Sequence, residues 1–177
     1  MRPHAILVTG RPGIGKTTLI RSLVREIKFL EPIGFYTEEI REQGHRTGFC
    51  LVTLSGERRI LAHRDIAGRH RVGRYGVDLR GFEEFLQEHP LEGEALVVID
   101  EIGRMECLST RFRETVLAIL DSPSLMVATI ALRGTGFIAS VKEREDVHLV
   151  EVTMENRDIL VPVISRQVRA VLGKAVT

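Results

Sequence analysis

Apolar positions along this chain recur in two patterns, and each predicts a different element. Ala5 to Val8 and Ala95 to Ile99 are unbroken apolar runs of strand length, as expected for strands buried on both faces. From Lys16 to Leu30 the pattern changes: Leu19, Ile20, Leu23, Val24 and Ile27 recur at three- and four-residue spacing, which predicts a helix with that face inward. Pro32 ends it, because the residue before a proline avoids helical backbone angles. Ile33 to Ile40, Thr47 to Leu54 and Arg58 to Ala62 are rich in strand formers. The turn signals Gln43-Gly44 and Ser55-Gly56 separate them, which predicts an antiparallel hairpin. Helices are expected over Leu79 to Glu88 (Phe82, Phe85 and Leu86 apolar), over Ser109 to Leu120 (Phe112, Val116, Leu117 and Leu120 inward) and over Phe137 to Glu145. Strands are expected over Leu125 to Ile130 and Val147 to Val152. A last helix should end near Leu172, with Pro162 fitting its first turn better than its interior. Strands alternating with helices give an α/β class: a mainly parallel sheet, helices on both faces and an inserted antiparallel hairpin.

Composition narrows the class without naming a function. A chain of 177 residues suits a single domain, residues 1–177. A net charge of +1 supplies no global field toward nucleic acid or a membrane, so neither is expected as an obligate partner, and a monomer is expected. Cys50 and Cys107 are far apart and form no CxxC pair, which argues against a disulfide framework or a zinc site and fits a reducing, cytoplasmic setting. No apolar run approaches membrane-spanning length, and the N-terminus leads straight into a strand rather than a signal peptide. One segment stands apart: residues 57–80 hold seven arginines against three acids.

The chemistry begins at Gly10 to Thr17, GRPGIGKT, set between the first apolar run and the first helical pattern. Strand, glycine-rich turn, then helix is the Walker A layout. Glycines let the backbone curl until several N–H groups converge on one anion, and the helix N-terminus adds positive partial charge there. Lys16 would meet the outer phosphates, and Thr17 would offer a hydroxyl to Mg²⁺. A nucleoside triphosphate is therefore the expected ligand.

The second apolar run leads into Asp100-Glu101. An apolar strand ending in an acid is the Walker B pattern, whose Asp holds the Mg²⁺ shell. The acid that follows is suited to orient and deprotonate a water aimed at the γ-phosphate, so Glu101 is the candidate general base. The competing role for Glu101 is a helix cap or an arginine partner. Asp100-Glu101-Ile102-Gly103 also fits the DxxG box of GTPases, but the chain has no NKxD element to read guanine. The nucleotide-binding set is thus Gly10, Arg11, Pro12, Gly13, Ile14, Gly15, Lys16, Thr17 and Thr18 on one side. Asp100, Glu101, Ile102 and Gly103 complete it on the other, with Thr17 and Asp100 as metal ligands.

GRPGIGKTTL at 10–19, GFYTEEIRE at 34–42, RTGFCLVTLSG at 46–56, VGRYGVDL at 72–79, VIDEIGRMECLS at 98–109, ATI at 128–130 and VTMENRD at 152–158 follow one another in order. Through these blocks the chain resembles the small P-loop nucleoside-triphosphatases of thermophilic prokaryotes and their human cancer-related relative. The resemblance implies a RecA-like or AAA-like P-loop fold and a catalytic glutamate on the Walker B strand. It also implies hydrolysis of the γ-phosphate of many triphosphates with little base preference. Arg104 and Cys107 stand where that family leads one to expect lysine and leucine.

Charge building on the phosphoryl oxygens calls for a further cation. Arg104 is the catalytic candidate beside Lys16 and Glu101, with Arg74 and Arg133 as alternatives. Glu38 and Glu39 either position water or metal or simply flank the hairpin. Thr129 either reaches the γ-phosphate or is an ordinary strand threonine, and Tyr75 either stacks on the base or packs on the surface. Two rival readings remain: a small-molecule or nucleoside kinase, with residues 57–80 as lid, and an RNA- or DNA-stimulated ATPase or non-enzymatic nucleotide-binding module.

Overall fold

The computed structural model describes residues 4–93 and 95–173. Among the described residues nine strands form one sheet: β1 (Ala5–Thr9), β2 (Ile33–Glu42), β3 (His45–Thr53), β4 (Arg58–His63), β5 (Arg71–Val72), β6 (Tyr75–Val77), β7 (Leu96–Ile102), β8 (Leu125–Ile130) and β9 (Val147–Glu151). The helices are α1 (Lys16–Glu26), α2 (Leu79–Glu88), α3 (Thr110–Leu120), α4 (Phe137–Lys142) and α5 (Leu160–Leu172). Across the sheet the order is β5-β6-β4-β3-β2-β7-β8-β1-β9. Strands β2, β7, β8, β1 and β9 run parallel. Strands β3, β4, β6 and β5 extend the sheet antiparallel beyond β2.

The unbroken apolar runs become two-faced strands. Ala5 and Leu7 pack into one core with Phe35, Val97, Ile99 and Phe112. Ile6 and Val8 point the other way, against Leu19, Ile20, Leu23, Ile164 and Val168 of α1 and α5. Alternation of side chains along a strand makes this unavoidable once helices cover both sides. Asp78 caps α2 by accepting from the Gly81 amide at 2.9 Å, and Ser109 caps α3 by accepting from the Phe112 amide at 3.1 Å.

The structure departs from the sequence reading in several places. Helix α1 stops at Glu26, and Lys28–Leu30 forms a 3₁₀ turn instead of a fourth helical turn. Leu117 is 38% exposed; Thr115 and Ile119 take the inward positions of α3. Strand β7 runs through Asp100-Glu101 to Ile102 rather than ending at the acids. The expected hairpin is a wing at the sheet edge, and residues 57–80 are part of it: β4, a turn, and the short β5–β6 hairpin. Several of its arginines are balanced by acids that lie elsewhere in the chain. Arg58 meets Glu38 at 2.7 Å, Arg59 meets Glu88 at 2.9 Å and Arg64 meets Glu42 at 2.9 Å. Tyr75 is only 6% exposed, edge-on to Phe49, and its hydroxyl accepts from Arg46 at 3.0 Å. It is a packed residue, not an open platform for a base. Among the described residues no helix is long and apolar enough to cross a membrane.

Candidate functional site

The site lies where β1 and β7 present their C-terminal ends, beside the middle of β2. After β1 the chain turns through residues 10–15 into α1, whose first-turn amides carry no side-chain cap and no acidic neighbour in the first turn. Gly15, the residue before α1, has φ 109°, a backbone that L side chains adopt only under strain, and nothing lies within 4 Å of where its Cβ would be. At Gly15 the loop thus carries no side chain, and the uncapped first-turn amides of α1 beside it suit an anion. Lys16 folds back across the loop, with Nζ donating to the Gly10 carbonyl at 3.0 Å.

Facing the loop is the end of β7. Asp100 is buried, and Thr129 Oγ1 on β8 donates to its Oδ1. Thr37 Oγ1 on β2 donates to the Asp100 carbonyl at 2.6 Å. Neighbouring strands therefore fix this residue from both sides. Its other carboxylate oxygen, Oδ2, is buried with no hydrogen-bond partner among the described residues. An orphaned carboxylate oxygen beside the Thr17 hydroxyl is what a divalent cation with oxygen ligands would complete. Burial raises the Asp100 pKa, and the hydroxyls of Thr129 and Thr17 oppose that. Burial also raises the Glu101 pKa, with Lys16 opposing and Asp100 adding to it. The Asp100–Glu101 peptide is cis.

One cleft of about 610 Å³ unites Pro12, Gly13, Gly15, Lys16, Thr17, Thr18, Arg21, Thr37, Glu38, Glu39, Phe49, Asp100 and Glu101. It thus brings together most of the residues expected from the sequence, but not all. Ile102 is fully buried in the core, and Gly103 is buried against the carboxyl groups of Glu101 and Glu106, so neither presents a surface to the cleft. Gly10, Arg11 and Ile14 shape the loop without lining the cleft. Arg104 and Arg133 line a different cleft, and Arg74 is bonded to the Tyr75 hydroxyl and the Arg46 carbonyl. Lys16 and Arg21 are the cationic side chains among those lining this cleft, and Arg21 is paired with Glu38 at 3.3 Å. Glu38 also holds Arg58, and Glu39 holds Arg41 and Arg46, so both glutamates tie the wing to the site. Thr129 serves Asp100.

Sequence reasoning misses Thr37, because a threonine in the middle of β2 carries no local signal of its role. Glu106 was overlooked too. It sits in a 3₁₀ turn after β7, only 5% exposed, and burial pushes its pKa up to about 8, with the charge of Glu101 adding to the effect. A raised acid pKa means the folded state holds a proton that the unfolded state releases. This stabilisation is full below about pH 4.5 and is lost as pH rises through about 8. The loss should amount to a few kcal/mol, on the order expected for a shift of several units. Glu106→Gln should therefore flatten the pH dependence of urea unfolding between about pH 5.5 and about pH 8.5. Parallel pH profiles for parent and variant would show that Glu106 is not held neutral.

A sequence model of the family described as NTPase matches residues 5–165. The chain belongs to the NTPase family. It is 47% identical over 158 residues to a protein of Thermotoga sp. (strain RQ2) named nucleoside-triphosphatase THEP1, spanning 88% of this chain and 90% of that one. The crystal structure of THEP1 from Aquifex aeolicus superposes with a TM-score of 0.77 at 35% identity, covering 90% of this chain and 96% of that one. The solution structure of a human cancer-related nucleoside triphosphatase superposes with a TM-score of 0.81 at 35% identity, covering 94% and 97%. The P-loop NTPase fold expected from GRPGIGKT and VIDEIG is thus the fold of this family, with the antiparallel wing as its departure from an all-parallel sheet.

Proposed function

We propose that this protein is a magnesium-dependent nucleoside-triphosphatase that hydrolyses the β–γ anhydride of ATP, GTP and other triphosphates to the diphosphate and phosphate. The observation that carries this reading is the opposition of two half-sites across one cleft: anion-binding amides with Lys16, and Asp100-Glu101. The names of the relatives support the same activity.

In this mechanism the loop amides and Lys16 bind the β- and γ-phosphates and take up charge as it shifts toward the leaving oxygen. Thr17 and the free oxygen of Asp100 would hold Mg²⁺, which supplies charge neutralisation at the phosphates. Thr129 and Thr37 keep the Asp100 carboxylate in place. Glu101 accepts a proton from the attacking water, and the water oxygen forms the new P–O bond as the bond to the diphosphate breaks. Lys16 opposes the burial-driven rise in the Glu101 pKa and so favours the basic form. Broad base use fits a cleft whose polar side chains are suited to phosphate, metal and water, and a sequence without a guanine-reading NKxD element.

Phosphate release with Mg²⁺ and each of ATP, GTP, CTP and UTP, with no acceptor added, tests this directly. Comparable rates are expected for all four. Lys16→Ala should lower kcat/KM by about 100-fold or more, because a cation aimed at developing charge is lost. Phosphate transfer only on addition of an acceptor would replace this reading with a kinase.

A further inference from the structure

We propose that a second cleft binds an organic phosphate, that is, a phosphate group carried on an apolar or aromatic body. The cleft measures about 1030 Å³ and shares no lining residue with the cleft that holds Lys16 and Glu101. Its walls come from the β5–β6 hairpin, the turn after β7, helix α3, the loop after β8 and the start of α4.

Its charge is unusual for this molecule. Arg71, Arg104, Arg113 and Arg133 all line it, and no lining residue is acidic. Elsewhere arginines such as Arg58, Arg59 and Arg144 sit on carboxylates. None of the four cleft arginines has a carboxylate partner among the described residues. Two of them are oriented by neutral acceptors. Arg71 donates to the Ile66 and Arg74 carbonyls at 3.2 and 2.6 Å, and Arg113 donates to the Cys107 carbonyl at 2.6 Å. Carbonyls fix a guanidinium without cancelling its charge. Arg104 and Arg133 are exposed and make no hydrogen bond or ion pair with the described residues, so their donors are free to close on a ligand. Cys107 adds no negative charge, since burial pushes its thiol pKa up to about 12.

Four uncompensated guanidiniums around one cavity select a multiply charged oxyanion, and phosphate matches the planar donor fork. The remaining wall is apolar, with Leu108, Leu132 and Phe137. Such a surface binds the body that carries the phosphate rather than phosphate alone. The arginines surround one cavity instead of forming a stripe, and the chain carries a net charge of only +1. Both points favour a small ligand over a polynucleotide track. Strands β7 and β8 serve both clefts: β7 carries Asp100-Glu101 and leads to Arg104, and β8 carries Thr129 and leads to Arg133.

The test is calorimetric titration of phenyl phosphate into the full chain after the P-loop has been filled with Mg²⁺ and ADP. The ADP titration is recorded first, so a failure of the nucleotide reading would appear there and not in the second step. One saturable phenyl phosphate site is expected. Its affinity should fall about tenfold or more for each guanidinium removed in Arg104→Gln and in the Arg104→Gln/Arg133→Gln pair. Circular dichroism and urea midpoints serve as fold controls, and Arg113→Gln provides a second variant from a different element. No saturation at millimolar phenyl phosphate, or equal affinity in the parent and double variant, overturns the proposal. Equal affinity for inorganic phosphate overturns the role of the apolar wall. Binding of a single-stranded oligonucleotide alone, weakening steeply with salt, overturns it in favour of a nucleic-acid surface.

Discussion

Glu101→Gln is expected to lower turnover by about 10²- to 10⁴-fold while nucleotide affinity stays within a few-fold of the parent. The substitution keeps the size of the side chain and its ability to hydrogen-bond water, and removes only the capacity to take a proton. Glu101 is half-buried at the end of β7, on the wall facing the P-loop. Nothing else about the site should change, because Asp100 is held by Thr37 and Thr129 rather than by its neighbour. Loss of a negative charge near the phosphates should, if anything, tighten binding. Single-turnover phosphate release and equilibrium nucleotide binding separate the two effects. A variant that hydrolyses ATP at the parent rate would remove Glu101 from the mechanism and leave water activation to another group.

The second large effect concerns the join between the parallel core and the antiparallel wing. Gly34→Ala should destabilise the fold by about 3–5 kcal/mol. Gly34 lies on β2 opposite Val98 of β7. Its φ is +133°, and an added Cβ would meet the Val98 carbonyl oxygen at 1.8 Å. That contact is with backbone inside a paired strand, so relief requires β2 and β7 to separate. For a chain of this size the loss should lower Tm by about 6–20 °C. Gly44→Ala is the control. Its φ is +80°, but nothing lies within 4 Å of the added atom, so only the backbone strain of about 1–2 kcal/mol should appear. Equal costs at the two positions in urea unfolding would show that crowding at β2–β7 is unimportant.

How far the sequence could be read depended on whether the signal was local. The strands β1, β7 and β8 were readable because burial on both faces leaves an unbroken apolar run. Helix α2 was readable to the residue, since Phe82, Phe85 and Leu86 recur at helical spacing. The P-loop and the Asp100-Glu101 pair were readable because phosphate and metal chemistry demand those residue types within a few positions. The β5–β6 hairpin was not, because strands of two and three residues carry no periodicity. The arginine-rich segment suggested a lid or a nucleic-acid surface because its partners, Glu38, Glu42 and Glu88, are distant in sequence. Tyr75 could not be assigned for the same reason: the residues that enclose it, Arg46 and Phe49, come from β3.

By itself, the sequence determined that this chain folds around a parallel α/β core and carries the two halves of the proposed triphosphate site. Glycine freedom, helix-terminal amides, Lys16 and adjacent acids are local requirements, and local requirements leave local patterns. Only the tertiary structure decided which residues complete that site. Thr129 and Thr37 reach Asp100 from neighbouring strands, Ile102 is withdrawn into the core, and Arg104 turns to a second cleft with Arg133. Those outcomes depend on strand order and register, which bring together residues far apart in the chain.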